Sequence, residues 1–309
     1  MQKTLSFKQR TRSREMIVGT WIKTPSRIVT EVLSGSVMDV LCLDAEHAPF
    51  DRVDLDGAIL SARAQDMPVL VRVQAPLSTD ILNALDLGAT GVVIPHVYDV
   101  MNTRELISSC LYAPGGRGYA GSTRAAGYTR VKMADHIMAS NNLTTIVAQI
   151  EDAEALSVLD DLMAIDEIDC FFIGRADLAV ALGAPSALAP EVIDASTRIC
   201  EAAARHGKAV GMFVPDLAEI PRWNELGVSL YLLESDQVFL LNGGPASSRQ
   251  CIRQAAIAPI DRTTAMETKM NFTEKRRDHR RCGRDRLGHR SAVCATGCTG
   301  NAARPQSLQ

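Results

Sequence analysis

Residues 145–182 read TIVAQIEDAEALSVLDDLMAIDEIDCFFIGRADLAVAL. Two apolar segments, Thr145–Ile150 and Cys170–Gly174, are each followed by a carboxylate, Glu151 and Asp177. Between them, Ala153–Ile165 carries apolar residues at helical spacing. The order is strand, helix, strand, with an acid just beyond the C-terminal end of each strand. A right-handed crossover makes such strands parallel and brings both carboxylates to one rim. Two acids beside the small-residue turn Gly174-Arg175-Ala176 suit a divalent cation with oxygen ligands and open positions for substrate. The alternative is that Glu151 and Asp177 only cap the helices that follow them.

The alternation extends in both directions. Ile17–Trp21, Met38–Asp44, Pro68–Val73 and Gly91–Pro95 read as earlier strands, and Ala209–Val214 and Ser229–Leu233 as later ones. Helical spacing covers Pro25–Ser34, Leu55–Gln65, Thr79–Leu87, Val100–Cys110, Pro190–His206, Ile220–Leu226 and Val238–Ala256. Eight short apolar strands alternating with helices predict one α/β domain, a (β/α)₈ TIM barrel over about residues 15–257. Residues 1–14 read as a polar N-terminal segment.

In such a barrel, chemistry gathers at the C-terminal ends of the strands. Asp44, Glu46, His47, Arg72, Glu151 and Asp177 all fall there, which points to an enzyme. Arg72 in an otherwise apolar strand is a costly buried charge unless it meets a carboxylate. His96, after the fourth strand, also reaches the rim, with structural and functional readings both open. Ser235 and Asp236 are expected to cap the last helix.

The chain of 309 residues is 46% hydrophobic and 22% charged, an ordinary globular composition. A net charge of −3 argues against nucleic acid or anionic membrane as a partner. No apolar run approaches a membrane span, and the polar N-terminus lacks a signal-peptide core. Its Arg and Lys content resembles a transit peptide, but the stretch is short and not clearly amphipathic. Cys42, Cys110, Cys170, Cys200 and Cys251 are scattered, which fits reduced, mostly buried thiols in a cytoplasmic protein.

Gly116-Arg117-Gly118-Tyr119-Ala120-Gly121 matches the form G-x-G-x-x-G. It follows Ala113-Pro114-Gly115 rather than a strand, and no acid ends a second strand roughly 20 residues later. A loop approaching the active site, with Arg117 or Arg124 reaching inward, is expected instead of a nucleotide fold.

Several short motifs occur in order: Gly19-Thr20-Trp21, Leu43-Asp44-Ala45-Glu46-His47-Ala48-Pro49, Val71-Arg72-Val73, Leu85-Asp86-Leu87-Gly88-Ala89, Pro114-Gly115-Gly116-Arg117-Gly118, Gln149-Ile150-Glu151 and Phe172-Ile173-Gly174-Arg175-Ala176-Asp177-Leu178. Together they resemble the metal-dependent class II pyruvate aldolases of the HpcH/HpaI family. The resemblance implies Glu151 and Asp177 as ligands of Mg²⁺ or Mn²⁺, with Co²⁺ a further candidate. It implies His47 as catalytic base, Asp44 as the acid that sets the histidine's tautomer and basicity, and Arg72 as the group that holds the keto acid. Asp86 matches an acid contributed near a neighbouring subunit's site. Gln149, Gly174 and Ala176 match the lining of the pyruvate pocket. Arg175 departs from the family pattern, where many members have Pro.

The implied activity is reversible cleavage of a 4-hydroxy-2-oxo acid to pyruvate and an aldehyde through a metal-stabilised enolate, in aromatic or sugar-acid catabolism. The implied assembly is a homo-oligomer, a hexamer or trimer of dimers with exchanged C-terminal helices. The chemistry agrees with the residues. Breaking a bond beta to a ketone develops oxyanion charge, which a cation and a fixed guanidinium stabilise. Proton transfer near neutrality suits histidine. Lys208 precedes the seventh strand, at the wrong end for a Schiff base. The rival readings are a citrate lyase β-like enzyme acting on CoA thioesters and a non-catalytic binding protein using a basic tail.

That tail, residues 258–309, includes the basic run Lys275–Arg290 and has no hydrophobic period, so it is expected to be disordered. Cys282, Cys294, Cys298, His279 and His289 fit no standard zinc spacing. Back-translating Arg276–Arg290 one base out of frame permits a glycine-rich loop similar to that opening a short-chain dehydrogenase. A frameshift into a downstream gene would explain the tail, and we assign it no catalytic role.

Overall fold

A computed structural model describes residues 5–243. The rest of the expected last helix and all expectations on the basic tail fall outside these residues. Eight parallel strands close into a barrel in chain order, with β1 pairing both β2 and β8. They are β1 (Ile17–Ile22), β2 (Val40–Asp44), β3 (Val69–Arg72), β4 (Gly91–Ile94), β5 (Thr145–Ile150), β6 (Cys170–Ile173), β7 (Ala209–Val214) and β8 (Val228–Ser235). The expected single-domain (β/α)₈ barrel is the fold.

A period of two along each strand builds both core and site. In β2, Leu41 and Leu43 face the outer helices, while Val40 and Cys42 face the barrel interior. In β3, Val69 and Val71 point out and Leu70 points in, and in β5 Val147 points in between Ile146 and Ala148. Two residues further along, the inward positions are Asp44, Arg72 and Gln149, all buried. The alternation that fills the barrel therefore aims polar side chains into its C-terminal mouth.

Helices surround the strands: α1 (Phe7–Arg12), α2 (Arg27–Ser34), α3 (Arg52–Ala64), α4 (Ser78–Asp86), α5 (Val100–Ser108), α6 (Met133–Leu143), α7 (Leu159–Met163), α8 (Arg175–Ala181), α9 (Pro190–Arg205) and α10 (Ile220–Glu225). The N-terminal segment is more than a polar lead-in. Ser6 and Gln9 form a capping box that starts α1. Phe7 joins the barrel-interior core, while Lys8 and Arg12 converge on Asp169, just before β6. With one core apolar residue, α1 has no period for a sequence reading to detect.

Two further elements differ from expectation. The β4–β5 crossover contains α6, whose one buried residue is His136, so no apolar stripe announced it. The helix expected over Ala153–Ile165 divides at Val158 into a 3₁₀ turn, Ala153–Ser157, and α7. At the end of β8, Ser235 Oγ accepts from the Val238 N–H (3.4 Å) and does cap residues 236–243. Asp236 does not. Its two oxygens accept from the Lys23 (2.7 Å) and Thr24 (3.1 Å) N–H groups, tying β8 to the end of β1.

Candidate active site

The rim is assembled around Asp44 and Arg72, neighbours in register on β2 and β3. Arg72 donates from Nη2 (2.8 Å) and Nε (3.0 Å) to Asp44 Oδ1, and its Nε lies 3.2 Å from Glu46 Oε2. Its guanidinium covers Trp21 at 4.4 Å from the ring centroid. Lys23 Nζ stands 3.3 Å from Asp44 Oδ2. Burial alone would raise the Asp44 carboxyl, but Arg72, the His47 backbone N–H and Lys23 outweigh it and hold it below the ordinary range. The cation is thus locked in place and its flat face shielded from water.

His47 lies at the exposed mouth. Its ring was expected to be oriented by Asp44, but Asp44 Oδ1 accepts from the His47 backbone N–H (3.1 Å) instead. The carboxylate beside the ring is Glu46, with Oε2 3.8 Å from Nε2. The reason is geometric: Asp44 ends β2 pointing into the barrel, and the turn that follows lifts the imidazole above it.

Glu151 caps no helix. Asp152 holds the N-cap position of the following turn. The Glu151 carboxylate, 2% exposed, accepts from Gln149 Nε2 and from the His96 N–H (2.9 Å). His96 adopts a left-handed backbone with φ 55°, a costly conformation for a non-glycine residue. Its ring is flanked by acids: Nδ1 is 3.6 Å from Glu151 Oε1 and 3.2 Å from Asp152 Oδ2, and Nε2 is 3.5 Å from Glu46 Oε1. Burial would lower the imidazole, yet Glu151, Asp152 and Glu46 raise it above the usual histidine value. Burial pushes both Glu151 and Glu46 upward, each raised further by neighbouring acids.

Glu46, His96 and Glu151 each offer a ligand atom within 4.8 Å of the others, a span that fits one divalent cation. Gln149 Oε1, buried beside them, has no hydrogen-bond partner. Two acids sharing one guanidinium, raised Glu46 and Glu151 carboxyls and an unpartnered amide oxygen fit a bound cation and an incoming ligand. Asp177 lies in the first turn of α8, whose N-cap position is held by Gly174, so it is not that helix's cap. It lines the same cavity of about 410 Å³ as Arg72, Gln149, Gly174 and Ala176, outside the tight triad. Gly174 is required here, because a Cβ would approach Glu151 Oε2 to 2.8 Å.

The glycine-rich loop goes elsewhere. Arg117 pairs with Asp86 and covers Tyr112, and Arg124 pairs with Asp56 and donates to the Leu87 carbonyl. With Pro68 and Thr144, Arg117 and His136 line a separate cavity of about 680 Å³ next to the strand starts. α5 has returned the chain to that end, so neither arginine reaches the rim. Asp86 shares this location within its own chain. Glu46 and His96 were visible at strand ends, but nothing in their spacing tied them to Glu151.

A parallel eight-stranded barrel with buried acids, a fixed arginine and histidines gathered at the C-terminal mouth is the arrangement of an enzyme. The model of the HpcH/HpaI aldolase/citrate lyase family matches residues 18–230, and the chain belongs to that family. It is 33% identical to 5-keto-4-deoxy-D-glucarate aldolase of Shigella boydii over 74% of this chain and 90% of that protein. A hydroxypyruvate/pyruvate aldolase of Paraburkholderia phytofirmans is 28% identical over 81% and 97%. The crystal structure of a family protein from Burkholderia cenocepacia superposes with TM-score 0.74 at 30% identity, covering 82% of this chain and all of that one. The protein is therefore an enzyme of the aldolase type, and the thioester-lyase alternative has less support. Among the described residues, no helix is long and apolar enough to cross a membrane.

Proposed function

We propose that the protein cleaves a 4-hydroxy-2-oxo acid reversibly into pyruvate and an aldehyde. The observation that carries this is one cavity lined by His47, Arg72, Gln149 and Asp177, with the buried Glu151 carboxylate accepting from Gln149 beside it. Glu151 and Asp177, with Glu46 and His96 at hand, would hold the divalent cation. An all-oxygen set suits Mg²⁺, and use of the His96 nitrogen favours Mn²⁺ or Co²⁺. When bound, the cation supplies Lewis-acid polarisation of the 2-oxo group.

Arg72 binds the oxo acid and meets the oxyanion charge that grows at C2, with no reorganisation because Asp44 and Trp21 already fix it. Gln149 Oε1 and the Gly174–Ala176 backbone line the pyruvate end. His47 takes the proton from the C4 hydroxyl as the C3–C4 bond breaks. The electron pair moves to C3 as the enolate, C4 leaves as the aldehyde, and protonation at C3 completes pyruvate. Asp86, at the far end of its own barrel, would serve a neighbouring copy in a homo-oligomer.

The test is pyruvate release from a panel of 4-hydroxy-2-oxo acids with Mg²⁺, Mn²⁺ or EDTA, for wild type and Glu151→Ala. Metal-dependent release that falls by at least about 10³-fold in the variant is expected. Release that survives both EDTA and the substitution, or no release from folded enzyme, overturns the proposal.

A further inference from the structure

The rim cavity is divided by polarity. The ends of β2, β3 and β5 supply Arg72, Gln149 and their acidic partners. The half bounded by β6, β7 and the chain after β8 is lined by Phe172, Leu188, Phe213, Pro215 and Val238. With the oxo acid held by Arg72 and Gln149 and its pyruvate end against Gly174–Ala176, the remaining apolar lining is the part of the cavity left to the aldehyde.

One guanidinium stands on that wall, and it is spoken for. Arg175 Nη1 donates to Glu219 Oε2 (2.7 Å), Nη2 donates to the Phe213 carbonyl (3.0 Å), and the group covers Trp223 at 5.3 Å. Its side chain is only 6% exposed. The other cations lining the cavity are also paired: Arg72 with Asp44 and Glu46, and Lys23, at the end of β1 next to the chain after β8, with Asp44 at 3.3 Å. Glu219 and Glu234 add negative charge near the wall. An aldehyde carrying its own carboxylate would meet Glu234 and only cations already paired with carboxylates there. An uncharged alkyl or aryl aldehyde would exchange water for Phe172, Phe213 and Leu188.

Resting on the aldolase reading above, we infer that this half of the cavity selects uncharged, apolar aldehydes, and that the Arg175–Glu219 pair sets the preference by neutralising the wall's cation. In the addition direction, pyruvate C3 gives up a proton, its electron pair forms a bond to the aldehyde carbon, and the aldehyde oxygen takes a proton. No further reactant is needed.

The experiment measures kcat/KM for pyruvate addition to butanal and benzaldehyde against glyoxylate and succinic semialdehyde, with Mn²⁺ present. In parallel, exchange of the pyruvate methyl protons in D₂O without any aldehyde reads enolate formation alone. Wild type is expected to favour the neutral aldehydes by at least about tenfold. Glu219→Gln leaves Arg175 charged and without its carboxylate, and should raise the succinic semialdehyde to butanal ratio about tenfold. Adding Arg175→Met to that variant should return the ratio to the wild-type value, which mere loosening of the wall would not do. Methyl exchange together with a preference for carboxylate-bearing aldehydes overturns this inference and leaves the aldolase reading standing. An unmoved ratio in Glu219→Gln, or one that stays raised in the double variant, also overturns it. Absence of exchange overturns the aldolase reading and this inference with it.

Discussion

The two ends of the barrel both bury charge, and they treat it in opposite ways. Near the strand starts, Asp169 has a fully buried side chain that meets Lys8 at 3.2 Å, Arg12, and the Ile146 N–H at 2.8 Å. One anion is shared by two cations and a backbone donor. At the strand ends, Asp44 and Glu46 share Arg72, Asp44 also meets the more exposed Lys23, Glu46 and Glu151 flank the partly exposed His96, and Gln149 Oε1 has no partner. A saturated cluster fastens α1 under the barrel. An under-neutralised one is a place for a cation and an anionic substrate to complete. Unmet electrostatic demand, more than burial of charge as such, separates the functional end from the structural end.

The strongest test of that contrast is Arg72→Lys. An ammonium cannot keep two nitrogens on Asp44, approach Glu46 and cover Trp21 together. We expect kcat/KM for pyruvate release to fall about 10²–10³-fold, with little change in melting temperature. A fall below tenfold would remove the distinction between the two ends.

Asp169→Asn should do the reverse. It leaves Lys8 and Arg12 without their carboxylate, but Arg12 is half exposed and partly rescued by water. The expected loss is about 2–3 kcal/mol, at or below the low end for a broken buried pair. For a domain of this size that lowers the melting temperature by roughly 5–10 °C. Activity per folded molecule should be unchanged, as measured by kcat after correction for folded fraction. A large drop in kcat at constant stability would show that the two ends are coupled.

The smallest effect is expected in acid. Burial and the nearby Arg117 hold His136 below the ordinary histidine value, with Asp86 opposing. The unfolded chain therefore binds this proton more readily than the folded one. The contribution to stability is complete above the unfolded pKa, about 6.5, and declines as pH falls through it toward the folded value. His136→Gln should flatten the fall in melting temperature below about pH 6.5, relative to wild type. An unchanged slope would mean that the Tyr112 hydroxyl, 3.2 Å from Nε2, and its surroundings accept the charged ring.

Much of the architecture was legible along the chain because strand alternation is local. Leu41, Cys42, Leu43 and Asp44 announce their faces by parity alone, and the same count carries Arg72, Gln149 and Glu151 to one rim. Elements held by few apolar contacts left no such trace. α1 is fixed by Phe7 and ion pairs, and α6 buries only a histidine, so neither has a period to read.

By itself the sequence determined the barrel, the rim and the family, since each depends on short-range pattern or ordered motifs. Only the tertiary structure decided which atoms meet. His96 sits fifty positions from Glu46 and fifty-five from Glu151, yet one left-handed residue turns its N–H and ring to those acids. Whether Asp44 touches the His47 ring or its backbone is likewise a matter of ångströms. Arg117 faces Asp86 rather than the rim because α5 has already returned the chain to the opposite end. Side-chain contacts of this kind depend on chain direction and distance in three dimensions, which spacing along one dimension does not encode.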